Sequence, residues 1–185
     1  DFEYRSDSDF TPRYQDRSYD LTTLESLDLV LSYWDGNRDI AHMIFSFGFV
    51  DGERVAVSIE TRPEKGEGYS AIGGLFKQFE LIYVVADERD VVQLPTNLRK
   101  EEVYLYPTRS KPPAVRALFR QLLTEAAALV EQPRFYHALS HNCTTTWITI
   151  AEEASGRQVA CDKRLLLNGF FDQLMYERGL LVADV

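Results

Sequence analysis

One stretch limits the possible fold more than any other: IAHMIFSFGFVDGERVAVSIE, from Ile40 to Glu60. Two apolar runs rich in aromatic and β-branched residues flank Val50-Asp51-Gly52, which is the pattern of a β-hairpin. Side chains alternate across a strand, so the length of the turn decides which residues share a face. A two-residue Asp51-Gly52 turn would set Met43, Phe45 and Phe47 beside Glu60, Ser58 and Ala56, mixing large apolar with polar side chains. A three-residue Val50-Asp51-Gly52 loop, with Gly52 left-handed, instead pairs Phe45 with Val57 and Met43 with Ile59 and gives one apolar face. The same register puts His42 across from Glu60 on the other face, with Ser46 and Ser58 further along. We therefore expect His42 to pair with Glu60.

Around this hairpin the chain reads as strands first and helices later, the order of an α+β fold with an antiparallel sheet packed against helices. TTLESLDLVLSYW is a strand or a short helix. RPEKGEGYSAIGG is a loop, FELIYVVA a buried strand, and DERDVVQL and EVYLYP are read as further strands. Pro112 and Pro113 open a long helix whose apolar stripe runs Val115, Leu118, Phe119, Leu122, Leu123, Ala126, Leu129 and Val130, and Pro133 ends it. A last helix is expected around Asp172–Glu177, with Gly179 as its terminator. The length of 185 residues suits one domain, residues 1–185, with residues 1–20 as an extended N-terminal arm over the core.

Twenty basic against twenty-nine acidic residues leave a formal net charge of −9, which repels phosphate backbones and argues against nucleic acid as a partner. No run approaches the roughly 20 apolar residues needed to span a bilayer. The beginning DFEYRSDSDF lacks the basic and apolar segments of a signal peptide.

The second informative stretch is LSHNCTTTWITIAEEASG, Leu139 to Gly156. Asn142 or Ser140 is a candidate N-cap, Gly156 a C′ residue, and Cys143, Trp147, Ile150, Ala151 and Ala154 form one stripe. Cys143 thus stands at a helix start, where unpaired backbone N–H groups and the helix dipole favour a thiolate and can receive an oxyanion. A small buried hydrophobe is the alternative use of a cysteine there. A nucleophile needs a base, and among three histidines His42 is the one set opposite a carboxylate. Cys143, His42 and Glu60 together make the parts of a thiol site, with no cofactor required.

Other residues stay open. HALSHNC places His137 and His141 near Cys143, a spacing that zinc can use if helix continues through it, although Ser140 and Asn142 look like a helix start. Cys161 can bridge Cys143 in an oxidising compartment. Arg62 is a substrate contact or a solvated loop charge; Tyr136 is an oxyanion donor or a core residue; Asn142 is a cap or a substrate contact. Arg89 and Asp90 read as structural.

FEYRSDSDFTPRYQDRSYDL, AHMIFSFGFVDGERVAVSIETRPEKGEGYS, ELIYVVADERD, VYLYP, SHNCTTT and LLLNGFFDQLMYERGLL together resemble the Lnb N-terminal periplasmic domain family, over nearly the whole chain and in the same order. The family takes its name from a bacterial lipoprotein N-acyltransferase. The resemblance implies a periplasmic domain, tethered to the inner membrane in full-length proteins, with a phospholipid acyl donor and a lipoprotein acceptor. The order histidine, carboxylate, Asn-Cys also resembles a circularly permuted papain-like cysteine fold. By position that implies His42 as base, Cys143 as nucleophile through a thioester, and Glu60 as the residue orienting the base. A papain-like peptidase or amidase acting on cell-envelope peptides, or a non-catalytic envelope binding domain, are the alternatives. The membrane segment of such proteins has no counterpart here.

Overall fold

The computed structural model describes residues 2–6, 9–33, 37–62, 79–136, 143–165 and 167–182, with backbone alone for Phe2, Pro12 and Cys143. The N-terminal arm is not simply extended: β1 (Phe2–Tyr4) and β2 (Phe10–Pro12) pair antiparallel into a small hairpin, and chain without regular secondary structure follows to a 3-10 turn at Leu21–Thr23. The ambiguous stretch after it is a strand, β3 (Leu24–Tyr33). β4 (Ala41–Phe49) and β5 (Arg54–Arg62) form the central hairpin in the expected register, Phe45 opposite Val57 and Ile44 opposite Ser58. Gly52 closes it at φ 89°, a conformation that glycine adopts without steric cost. The expected loop from Arg62 to Gly74 lies, beyond Arg62, outside the described residues.

β6 (Glu80–Asp87) pairs with β5, and β7 (Glu102–Pro107) pairs with β3, so the main sheet is five-stranded and antiparallel in the order β6-β5-β4-β3-β7. DERDVVQL is not a strand. It begins as the end of β6 and turns into helix α1 (Glu88–Gln93), followed by a π-helical turn at Leu94–Leu98. Glu88 and Asp90 sit in the first turn of α1, where the helix dipole favours negative charge, and Val91 and Val92 pack on the sheet against Val30, Ile44 and Ala56. Among the described residues a helix is therefore interleaved with the strands between β6 and β7.

The remaining helices are α2 (Pro112–Glu131), α3 (Cys143–Ser155) and α4 (Phe171–Glu177). Gly156 and Gly179 end α3 and α4 in positive φ, as expected. The sheet has two unlike faces. Leu29, Leu31, Met43, Phe45, Phe47, Val57 and Ile59 point to one, and α2 covers them with Val115, Phe119 and Leu122, and α3 with Trp147 and Ile150. Phe47 meets Phe119 with ring centroids 4.8 Å apart, and Phe45 meets Trp147 at 4.3 Å. Each such buried side chain contributes roughly 2–3 kcal/mol of transfer free energy. The stripe on α2 is shorter than its spacing suggested: Leu123 is partly exposed, and Val130, in the last turn of the helix, is largely exposed.

On the opposite face Val30, Ile44 and Ala56 pack against Val91, Val92 and Val103. Here apolar contacts alternate with buried polar residues: Asp28, Ser32, Ser46 and Ser58. Arg54 spans Asp28 and Glu88 at one end of this face, its Nε 2.6 Å from Glu88 Oε2. At the other end lies the histidine.

Candidate active site

His42 is the second residue of β4 and Glu60 lies near the end of β5. The residues between them alternate in and out, so Ile44 and Ser58 share their face, and Met43 and Ile59 point the other way. His42 Nε2 lies 2.7 Å from Ser58 Oγ and 3.0 Å from Glu60 Oε1, and Ser58 Oγ lies 2.7 Å from the same carboxylate oxygen. An ionised carboxylate only accepts, so Ser58 donates to Glu60 and accepts from the Nε2–H of His42. Nδ1 then carries the lone pair of the neutral ring, and it is the atom able to take a proton.

Burial works against the imidazolium, but the charge of Glu60 and its hydrogen bond outweigh it, with Glu101 adding to them and Arg99 opposing; the His42 pKa stands above its ordinary 6.5. Burial likewise works against the Glu60 carboxylate. His42, by charge and hydrogen bond, together with Ser58 and Arg99, prevails and holds its pKa down to about 2. Ser32 donates to Glu101 beside this pair, and Arg99 Nη1 is 3.9 Å from Glu101 Oε1. Tyr4 brings the N-terminal hairpin to this face: burial and the charges of Asp90 and Glu60 raise its pKa, with Arg99 acting the other way.

The sheet is interrupted beside His42. The β4–β5 ladder ends at Ile44↔Ser58, although β4 stays paired with β3 to Ala41↔Tyr33 and β5 with β6 to Arg62↔Glu80. The sheet forks there, and the His42–Glu60 contact closes the fork with side chains. Asn168 fixes the outer arm: its Oδ1 accepts from Ala41 N–H at 3.0 Å and its Nδ2 donates to Ala41 C=O at 2.7 Å.

Cys143 is the first residue of α3, as its position in the sequence implied. The neighbouring Thr144 is fully buried and donates to Met43 Sδ at 3.2 Å, so α3 opens next to the residue that follows His42. Met43 and His42 leave β4 on opposite faces. The imidazole thus points to the α1 side of the sheet, and α3 begins on the other side, at the fork. Arg62 is largely exposed and faces Glu80 at 3.9 Å. Tyr136 donates its backbone N–H to Phe79 C=O at 2.8 Å and packs its ring against the main core. Arg89 and Asp90 pair with each other at 3.2 Å, Asp90 being buried. Asn142, His137 and His141 lie outside the described residues. Cys161 is an exposed free thiol. Among the described residues no group of three or more metal-ligating side chains occurs, and no helix is long and apolar enough to cross a membrane.

Ser58, Glu101 and Arg99 complete the polar cluster, and sequence spacing did not single them out. Ser58 was visible as an alternate position on the His42 face. Glu101 and Arg99 follow the π-helical turn, which has no clear sequence signature.

A family model described as the Lnb N-terminal periplasmic domain matches residues 10–169. No curated protein and no solved structure matches the chain.

Proposed function

The chain belongs to the Lnb N-terminal periplasmic domain family, and from that premise we propose that it is a thiol-dependent acyltransferase or hydrolase of the bacterial periplasm. The observation that carries this reading is the His42–Glu60 pair, set at the fork of the sheet where α3 opens with Cys143. In the proposed reaction the Cys143 thiolate attacks an acyl carbonyl, and N–H groups at the start of α3 hold the oxyanion. The imidazolium of His42 gives its proton to the leaving oxygen, and a thioester remains on sulfur. An amine, or water, then attacks the thioester carbonyl and loses its proton to His42 as the thiolate departs. Glu60 keeps the ring oriented and supports its charged form. The fold would be the circularly permuted papain-like one, the acyl donor a phospholipid and the acceptor a lipoprotein amino terminus, with membrane tethering supplied by segments outside this chain. Papain-like peptidase or amidase chemistry on envelope peptides would use the same residues.

The direction of the imidazole, towards the α1 face, favours a second reading: a non-catalytic envelope binding domain in which His42 is a structural pair for Glu60. Peptide mass spectrometry of alkylation rate against pH, in wild type and His42→Ala, separates the two. Catalysis requires fast labelling of Cys143 well below the free-thiol pKa of about 8.5 and slower labelling in His42→Ala. Ordinary labelling, unchanged by the substitution, removes the nucleophile and leaves the binding domain. Cys161, exposed and free, is the internal standard.

A further inference from the structure

Among the described residues β6 is an edge strand, and most of its outer side has no backbone partner. At its start, Leu81 N–H donates to Arg134 C=O and Tyr136 N–H donates to Phe79 C=O, both at 2.8 Å, so the segment 134–136 adds briefly as an extra antiparallel strand. Outward-facing amides alternate along a strand, and the next in this series belong to Tyr83 and Val85. Among the described residues nothing pairs with them. The added segment does not continue along the edge: the residue that would stand opposite Tyr83 is Gln132, whose N–H is already given to Ala128 C=O as the C-cap of α2.

A groove of about 770 Å³ runs along this bare edge, between it, the N-terminal arm and α2. Its floor is apolar, with Tyr83, Val85 and Leu123, and its rim carries Arg13, Arg17 and Arg62 against a single carboxylate, Asp87. Arg17 is committed to Asp87, with Nη2 2.8 Å from Oδ2. Arg13 and Arg62 also pair with exposed carboxylates, Glu3 at 2.6 Å and Glu80 at 3.9 Å, and exposed ion pairs of this kind cost little to exchange. A locally basic groove in a chain of net charge −9 is a selective feature.

We propose that this groove binds an extended acidic peptide, which adds to β6 as a sixth strand by pairing with the Tyr83 and Val85 amides while its carboxylates meet Arg13 and Arg62. Strand addition supplies the main-chain hydrogen bonds, and the arginines supply selection for charge. An anionic lipid would satisfy the arginines but leave the strand amides unpaired. A second copy of the chain would satisfy the amides but bring together two surfaces of strong negative net charge.

The test uses an alternating Val/Glu octapeptide, its Val/Lys counterpart, and amide hydrogen exchange read by NMR. The Val/Glu peptide is expected to slow exchange at Tyr83 and Val85, and the double variant Arg13→Glu/Arg62→Glu to weaken its binding at least about tenfold. Both arginines are exposed, so the variant is expected to fold as wild type does. The proposal is overturned if exchange at Tyr83 and Val85 is unaffected, or if the Val/Lys peptide binds equally well. Protection of these amides that rises with protein concentration alone would also overturn it in favour of a second copy, and protection by phosphatidylglycerol vesicles without protection by the peptide would overturn it in favour of lipid.

Discussion

His42 and Glu60 are held to each other by side chains at the place where their strands stop sharing a backbone ladder: Nε2 and Oε1 are 3.0 Å apart, and the last ladder pair is Ile44↔Ser58. In a regular hairpin the backbone would carry this join. Here an ion pair bridged by Ser58 carries it, which makes the end of the sheet sensitive to protonation.

The imidazole should titrate above 6.5, and Glu60→Gln should lower its midpoint, since burial then acts with less opposition. Protonation-linked stability has a definite window. His42, whose folded pKa is raised, contributes below about 6.5 and loses that contribution as pH rises through its folded value. Glu60, held to about 2, contributes above its ordinary 4.5 and loses it as pH falls towards 2. Wild type should therefore exceed Glu60→Gln by about 1 kcal/mol near pH 5.5 and by less near pH 9, the figure being small because Glu60 keeps substantial solvent contact. Urea unfolding of both proteins at the two pH values checks the sign, and proton NMR of the ring checks the midpoint.

Asn168 and Gly169 are expected to be as intolerant as core residues. Asn168→Ala leaves both backbone groups of Ala41 without their side-chain partner in a buried setting, a loss of about 2–3 kcal/mol. A Cβ on Gly169 would lie 2.0 Å from Arg38 O and 2.6 Å from Asp39 C, backbone atoms that cannot swing aside. Gly169→Ala should thus cost more than Gly52→Ala, where a Cβ meets nothing and only the φ of 89° costs, about 1 kcal/mol. Urea midpoints for the three variants give the order.

The parts of this molecule that were legible in its sequence are those governed by short-range periodicity. The β4–β5 register followed from one choice of turn length, and with it the His42–Glu60 contact; proline and glycine marked the ends of α2, α3 and α4. Asp87–Leu94 misled because consecutive valines suit a strand or a short helix equally, and the helix-dipole contribution of Glu88 and Asp90 is worth only tenths of a kcal/mol. The Asn168–Ala41 clasp joins residues 127 positions apart and has no local signal beyond an Asn-Gly pair. Alternation predicts that His42 and Met43 diverge, but it does not say which face a distant helix will cover. The relation of His42 to α3 was therefore beyond sequence spacing.

Trp147 seats α3 on the sheet through Phe45, one turn from Cys143. Trp147→Ala should cost about 3–5 kcal/mol, as large-to-small changes in a closed core do. Because Thr144 reaches Met43 from the same helix, the loss should also loosen the helix start. Thermal unfolding measures the first effect, and hydrogen exchange at Thr144–Ile148 the second.

Ser58→Ala isolates the bridge from the pair. The hydroxyl lowers the Glu60 pKa, so its removal should raise that carboxylate from about 2 while leaving it below 4.5, where the His42 charge and hydrogen bond still hold it. Ser58 has no part in raising the His42 pKa, which rests on Glu60 and Glu101, so the ring should keep a midpoint above 6.5. Nε2 should also stay protonated in the neutral ring, because Glu60 Oε1 at 3.0 Å can take over as acceptor. The stability cost should be about 1 kcal/mol, that of one buried hydrogen bond replaced by a methyl group of similar size. Ring ¹⁵N shifts across the titration read tautomer and midpoint together. A ring that changes tautomer, or a His42 midpoint that falls below 6.5, would assign the orientation of the imidazole to Ser58 and reduce Glu60 to a distant charge.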